Sequence, residues 1–122
     1  MAELNPSSRK FQKELNAGTA ALVLLTLLSR SRKPMYGYQI AKIIEQTEVP
    51  APMMKQGALY PVLRSLEANG LLASSVEPSV SGPPRKYYRI TPEGRATLKE
   101  WRQIWCETRR FVDDILEERN HD

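Results

Sequence analysis

Residues 56–72, QGALYPVLRSLEANGLL, constrain what this chain can fold into more than any other stretch. Leu59, Leu63 and Leu66 recur at helical spacing and make one apolar stripe, while Gln56, Tyr60 and Arg64 recur every four residues on another face. Gly70 then ends the helix, as a residue that enters the left-handed region cheaply does. Two short extended runs follow, residues 71–76 and 86–90, on either side of the turn-rich segment EPSVSGPP. A helix with one side to bury and a polar side left over, followed by a hairpin, predicts a winged helix-turn-helix with residues 56–69 as its recognition helix. Pro61 removes one backbone hydrogen bond and presses on the carbonyl of Gly57. The expectation is a bent or tightened first turn, or a helix that begins only near Tyr60.

The rest of the chain supplies the other parts of such a domain. Met35 and Tyr36 lead through Gly37 into YQIAKIIEQT, where Ile40, Ile43 and Ile44 form an inner face and Gln39, Lys42 and Gln46 an outer one. Residues 48–55, EVPAPMMK, hold two prolines and form a loop longer than a minimal helix-turn-helix connection. Upstream, residues 9–29 read as a helix whose stripe of Phe11, Leu15, Leu22 and Leu25 broadens into ALVLLTLL. A helix apolar on nearly every side needs cover from its own domain or from a second copy of the chain. The basic segment SRSRKP connects the two helices. Thr91, Pro92 and Glu93 are a strong helix start, with an N-cap hydroxyl, a proline and an acid in the first turn. The fold class expected is mainly α with a small β-hairpin wing. Residues 1–8 form a flexible N-terminus, residues 9–91 the winged helix-turn-helix, and residues 92–122 a long C-terminal dimerisation helix.

Composition bounds the function. With 122 residues, one cysteine and an ordinary hydrophobic fraction of 41%, the chain reads as one cytoplasmic domain with no disulfide framework. The run ALVLLTLL is too short to span a bilayer and too far inside the chain for a secretory signal. Charge is unevenly placed: residues 1–95 carry 13 Lys and Arg against 7 Asp and Glu, a net of +6, and residues 96–122 carry 5 against 7, a net of −2. That division suits a protein that touches phosphate with one part and itself with another. Enzymatic chemistry has no foothold. His121 is a lone tail histidine, Cys106 has no histidine near it in sequence, and no phosphate-binding glycine loop or metal-ligand spacing is present. No cofactor is expected.

Double-stranded DNA is the partner these residues suggest. Gln56, Tyr60 and Arg64 present an amide, a phenol and a guanidinium on one face of a helix that fits a major groove, and amide and guanidinium make bidentate contacts to adenine and guanine. Lys55, Arg85 and Lys86 are better placed to meet phosphate or the minor groove. Tyr36 has two readings, a phosphate contact through its hydroxyl or packing at the start of its helix. On the last helix, Leu98, Trp101, Trp105, Thr108, Val112 and Ile115 follow spacings of three and four, a coiled-coil seam widened by Ile104, Phe111 and Leu116. In a two-fold dimer this patch would meet itself. Trp101 and Trp105 lie one turn apart and read either as interface anchors or as walls of a pocket for a small planar aromatic ligand. The acidic cluster of Asp113, Asp114, Glu117 and Glu118 reads as a solvated face, and Cys106 as a small apolar filler.

GALYPVLRSLEANGLL followed by GPPRKYYRITPEG, with YGYQIAKII upstream, resembles the PadR family of winged-helix transcriptional regulators over roughly residues 20–95. The short tail resembles the subgroup with a single C-terminal helix. The resemblance implies a homodimer joined by the last helix with help from the first, and a repressor that leaves a pseudo-palindromic operator on binding a small molecule. Carried onto this chain, the family's DNA-contacting positions fall on Tyr36, Gln39, Gln56, Tyr60, Arg64 and Lys86. Some relatives of this short architecture bind planar drugs between tryptophans of the last helix, and Trp105 stands near the matching place. Two positions depart from the pattern: Pro83 and Pro84 stand where family wings carry arginines, and Ala58 stands where a threonine or serine is frequent. The alternative to a DNA-binding regulator is a winged helix used only for protein interaction or dimerisation.

Overall fold

The computed structural model describes residues 4–46 and 56–117. The expected loop at 48–55, with Lys55, lies outside the described residues, as do Glu118 and His121. Helix α1 runs Pro6–Arg30, strand β1 Met35–Tyr36, helix α2 Gly37–Glu45 and helix α3 Gln56–Ala68. Strands β2, Leu72–Glu77, and β3, Arg85–Ile90, form the wing, and α4 spans Pro92–Leu116. The domain is therefore mainly helical with a small antiparallel sheet, as the periodicity predicts.

Capping chemistry sets the helix ends. The Asn5 side chain accepts a hydrogen bond from the Ser8 amide at 2.8 Å with Pro6 following, so α1 starts at Pro6, ahead of the expected residue 9. Thr91 does the same for α4: its Oγ1 accepts from the Gly94 amide at 2.9 Å and donates to the Gly70 carbonyl at 2.7 Å. Gly70 has φ +78° and terminates α3 in the left-handed region. Helix α3 is helical on both sides of Pro61, so it does not begin near Tyr60. At its other end α4 runs to Leu116, with Glu117 as the C-cap.

The sheet has one strand more than the sequence predicts. Its order is β1-β3-β2, with Met35 opposite Tyr88 and Leu72 opposite Ile90. Two residues are too few to show alternation, yet β1 covers an edge of β3 that would otherwise leave backbone donors unpaired. This places Tyr36 opposite Tyr87 and ties the start of α2 to the wing.

One core joins all the layers. Leu24, Leu25 and Leu28 of α1 pack with Ile40 and Ile44 of α2, Leu59, Leu63 and Leu66 of α3, and Leu72 and Tyr88 of the sheet. Leu63 is fully buried at the centre of the α3 stripe, and truncation to alanine there costs about 2–5 kcal/mol. Two sequence expectations are corrected. Ile43 is 39% exposed and Ala41 takes the inner position, because α2 meets its neighbours along the stripe of residues 37, 40, 41 and 44. Leu98, expected in the dimer seam, is buried in the chain's own core, because the first turns of α4 pack back onto the domain. Trp101 lies half-buried at the edge of that core. Beyond it Trp105, Val112 and Ile115 are open, and Phe111 and Leu116 are 67% and 73% exposed.

Candidate nucleic-acid interface

Helix α3 presents its apolar stripe inward, which turns Tyr60 and Arg64 towards the wing. Between the start of α2, the outer face of α3 and the base of the wing lies a cleft of about 300 Å³. Tyr36, Tyr60, Arg64, Arg85 and Lys86 line it together, bringing five of the eight sequence-predicted DNA contacts to one place. Gln39 sits beside them on α2, while Lys55 and the side chain of Gln56 lie outside what is described.

Each side chain around the cleft is held by a specific contact. Gly37 is buried where α2 crosses α3, and a Cβ there would fall 2.7 Å from the Tyr60 hydroxyl. The missing side chain gives the tyrosine ring its seat. Tyr36 packs edge-on against Tyr87 with centroids 5.2 Å apart and stacks beside Tyr38 at 6.4 Å. The Arg85 guanidinium lies 4.5 Å above the Tyr36 ring, a cation–π contact that orients it without neutralising it. The Tyr36 ring therefore packs at the start of its helix, as one of its two readings expects, and the residue also lines the cleft. Gln39 accepts a hydrogen bond from the Tyr36 amide through Oε1 at 3.1 Å, so this expected DNA contact also caps α2.

Lys86 is different. Its ammonium pairs with Glu67 of α3 at 3.0 Å and lies 5.3 Å from the centroid of the Tyr88 ring. The Ser74 hydroxyl of β2 donates to the other Glu67 oxygen. Those two donors, Ser74 first and then Lys86, hold the Glu67 carboxyl below its ordinary value, and Glu67 raises the Lys86 ammonium above its own. Sequence reasoning missed Glu67, Tyr38 and Tyr87. Nothing in the one-dimensional pattern links Glu67 to a lysine on a strand far along the chain, and the pairing of Tyr87 depends on the two-residue strand β1.

Sharing no residue with this cleft, α1 and α4 bound an apolar groove of about 500 Å³, lined by Leu15, Leu22, Trp101, Ile104, Trp105 and Thr108 among others. Glu14 stands at its rim and pairs loosely with Lys10 at 3.9 Å, a surface contact of small energetic worth.

The family model described as the transcriptional regulator PadR-like family matches residues 24–100, from α1 through the wing into α4. The chain belongs to the PadR-like family. A solved PadR family transcriptional regulator from Eggerthella lenta is 36% identical, covering 90% of this chain and 92% of its own, with a TM-score of 0.73. A PadR-like transcription factor from Bacteroides fragilis is 28% identical over 87% of this chain and 98% of its own, with a TM-score of 0.69. A transcriptional regulator of Mycobacterium tuberculosis is 50% identical over 56 residues, which are 46% of this chain and 51% of that relative. A protein of Lysinibacillus sphaericus is 31% identical over 97 residues, 80% of this chain and 86% of its own. As a PadR-like protein the chain is a transcriptional regulator with a winged-helix fold that binds DNA, and not an enzyme. Among the described residues no helix is long and apolar enough to cross a membrane.

Proposed function

We propose that this PadR-like chain is a dimeric, sequence-specific repressor whose hold on its operator is released by a small planar aromatic ligand. The observation that carries the DNA-contact assignment is the single cleft that gathers Tyr36, Tyr60, Arg64 and Arg85. Arg64 reads base edges in the major groove, with Tyr60 and Gln56 on the same helical face. Tyr36, Gln39, Lys55 and Arg85 meet the backbone and fix the register of the protein on the duplex. Lys86 stands at the wing base beside them.

The dimer is supported by the apolar face of α4 beyond Trp101, too large and continuous to stand in water on a lone helix. Trp105, Thr108, Val112 and Ile115 form its line of contact, with Leu15 and Phe11 of α1 alongside. The ligand site is the groove between α1 and α4, whose two indoles suit a flat aromatic molecule. A ligand seated against α4 alters the spacing of the two DNA-reading heads, and so favours one arrangement of the dimer over another.

Selection of duplexes from a random pool tests this reading. The expected product is a two-fold-related sequence with half-sites about 34 Å apart, one helical turn. A planar cationic dye should bind saturably and displace the selected duplex. Recovery of asymmetric or unrelated sequences overturns the operator assignment. A dye that binds without displacing DNA overturns the release mechanism.

A further inference from the structure

Three elements of the DNA-reading head meet at one carboxylate. Glu67 lies on α3 one turn beyond Arg64, and it binds Ser74 of β2 through one oxygen and Lys86 of β3 through the other, at 3.0 Å. The Lys86 and Glu67 side chains are 41% and 31% exposed, so the pair sits at the protein surface and not in the core, with Lys86 lining the cleft. Of the three cations that line the cleft, only Lys86 is paired with a carboxylate among the described residues. Arg85 rests on an aromatic ring, and Arg64 has no ion-pair partner among the described residues.

This arrangement has a consequence for phosphate binding. Non-specific affinity for DNA comes from cations that displace condensed counterions. A lysine already neutralised by a neighbouring carboxylate releases few of them. If it swings to a phosphate it leaves Glu67 bare beside a second negative charge. We propose that Glu67 is a positioning residue for specificity: it pins the wing to the recognition helix through Ser74 and Lys86, and keeps the Lys86 charge from adding sequence-independent affinity. The proposal rests on the DNA-binding reading above and adds to it a role for a residue outside the expected contact set.

The test uses the full chain as wild type, Lys86→Gln, Glu67→Gln and the double variant. Each is titrated with a duplex selected by the wild type and with a scrambled duplex, from 50 to 200 mM salt. On the scrambled duplex, Lys86→Gln should leave the slope of log K against log salt unchanged. Glu67→Gln, which frees the ammonium, should steepen that slope by about 0.9 and tighten binding up to about tenfold near 100 mM salt. The selected duplex should gain less than the scrambled one, because a wing no longer pinned to α3 loses contacts that only the selected complex makes, so the ratio of selected to scrambled affinity should fall. In the Lys86→Gln background the same Glu67→Gln change should leave the slope unchanged, because it frees no ammonium, and should relieve only the repulsion of the bare carboxylate. A slope that steepens there as well marks a general effect of removing a negative charge and overturns the proposal. Glutamine keeps an oxygen for Ser74, and thermal midpoints of all four proteins show whether the fold is intact. A purely structural role for Glu67 would move midpoints without moving slopes. The proposal is overturned if Lys86→Gln alone flattens the slope by about 0.9, or if Glu67→Gln leaves it unchanged. A wild type that retains no duplex at low salt is a different failure, and overturns the DNA-binding reading together with everything built on it.

Discussion

Gly37 and Gly94 are both buried, and an added methyl has no room at either, but their neighbours differ. At Gly37 the obstruction is the Tyr60 ring, a side chain that can turn away. At Gly94 it is the Leu71 carbonyl, a backbone atom already accepting from the Thr91 amide at 3.1 Å. Gly94→Ala should therefore lose the greater stability, towards the top of the roughly 1–3 kcal/mol range for overpacking, with the loss seen in a denaturant midpoint. Gly37→Ala should lose less stability but displace Tyr60, so its larger effect appears as weaker binding to the selected duplex. Equal midpoints for the two variants would contradict this. Arg64→Ala should weaken the selected duplex by about 1–3 kcal/mol and the scrambled one far less, because a base contact carries sequence information. Lys55→Ala should weaken both alike and flatten the salt dependence by about one ion. An equal loss on both duplexes for Arg64→Ala would remove its base-reading role.

At the scale of elements, the joint between α3 and the wing is held by a pair whose charges respond to pH in opposite directions. Glu67 is lowered in the folded state, so its contribution is present above the ordinary carboxylate pKa and is lost as pH falls through the lowered value. Lys86 is raised, so its contribution is present below the ordinary lysine pKa and is lost as pH rises through the raised value. The difference in thermal midpoint between wild type and Glu67→Gln should accordingly persist across neutral pH and shrink to nothing in strong acid. A difference that stays constant down to pH about 2 would mean that the ionised carboxylate is not what matters. The helix ends show how local chemistry is read or overlooked. Asn5-Pro6 is the same kind of cap as Thr91-Pro92, yet only the second precedes an obvious change of pattern. The first was legible from the same rule and is masked by its place near the end of the chain.

At the scale of the whole molecule, the exposed apolar face of α4 and the groove against α1 belong to one surface. If that surface is the dimer interface, Phe111→Glu together with Ile115→Glu should yield a monomer in sedimentation while the winged helix stays folded. A variant that still sediments as a dimer would place the interface elsewhere. Trp105→Ala should abolish dye binding to the groove and its quenching of tryptophan fluorescence, and retention of both would remove the pocket reading. Loss of DNA affinity in the monomeric variant should be steep, since two heads joined together bind a pseudo-palindrome far more tightly than one.

Periodicity, turn residues and caps are properties of neighbours in sequence. They were enough to place α2, α3, the wing and α4, and to put Tyr60 and Arg64 on one polar face. What they could not supply is any relation between residues far apart in the chain. Leu98 belongs to a seam by its spacing and to the core by its surroundings, because packing against α1 and the sheet competes with the heptad pattern. The strand at Met35–Tyr36 exists only because β3 runs beside it. Lys86 reads as a bare cation on a wing until α3 brings Glu67 to within 3.0 Å of it. Local sequence determined the elements and the chemistry on their faces. The tertiary structure decided which of those charges are already answered, since distance in space, and not in sequence, governs both burial and Coulomb attraction.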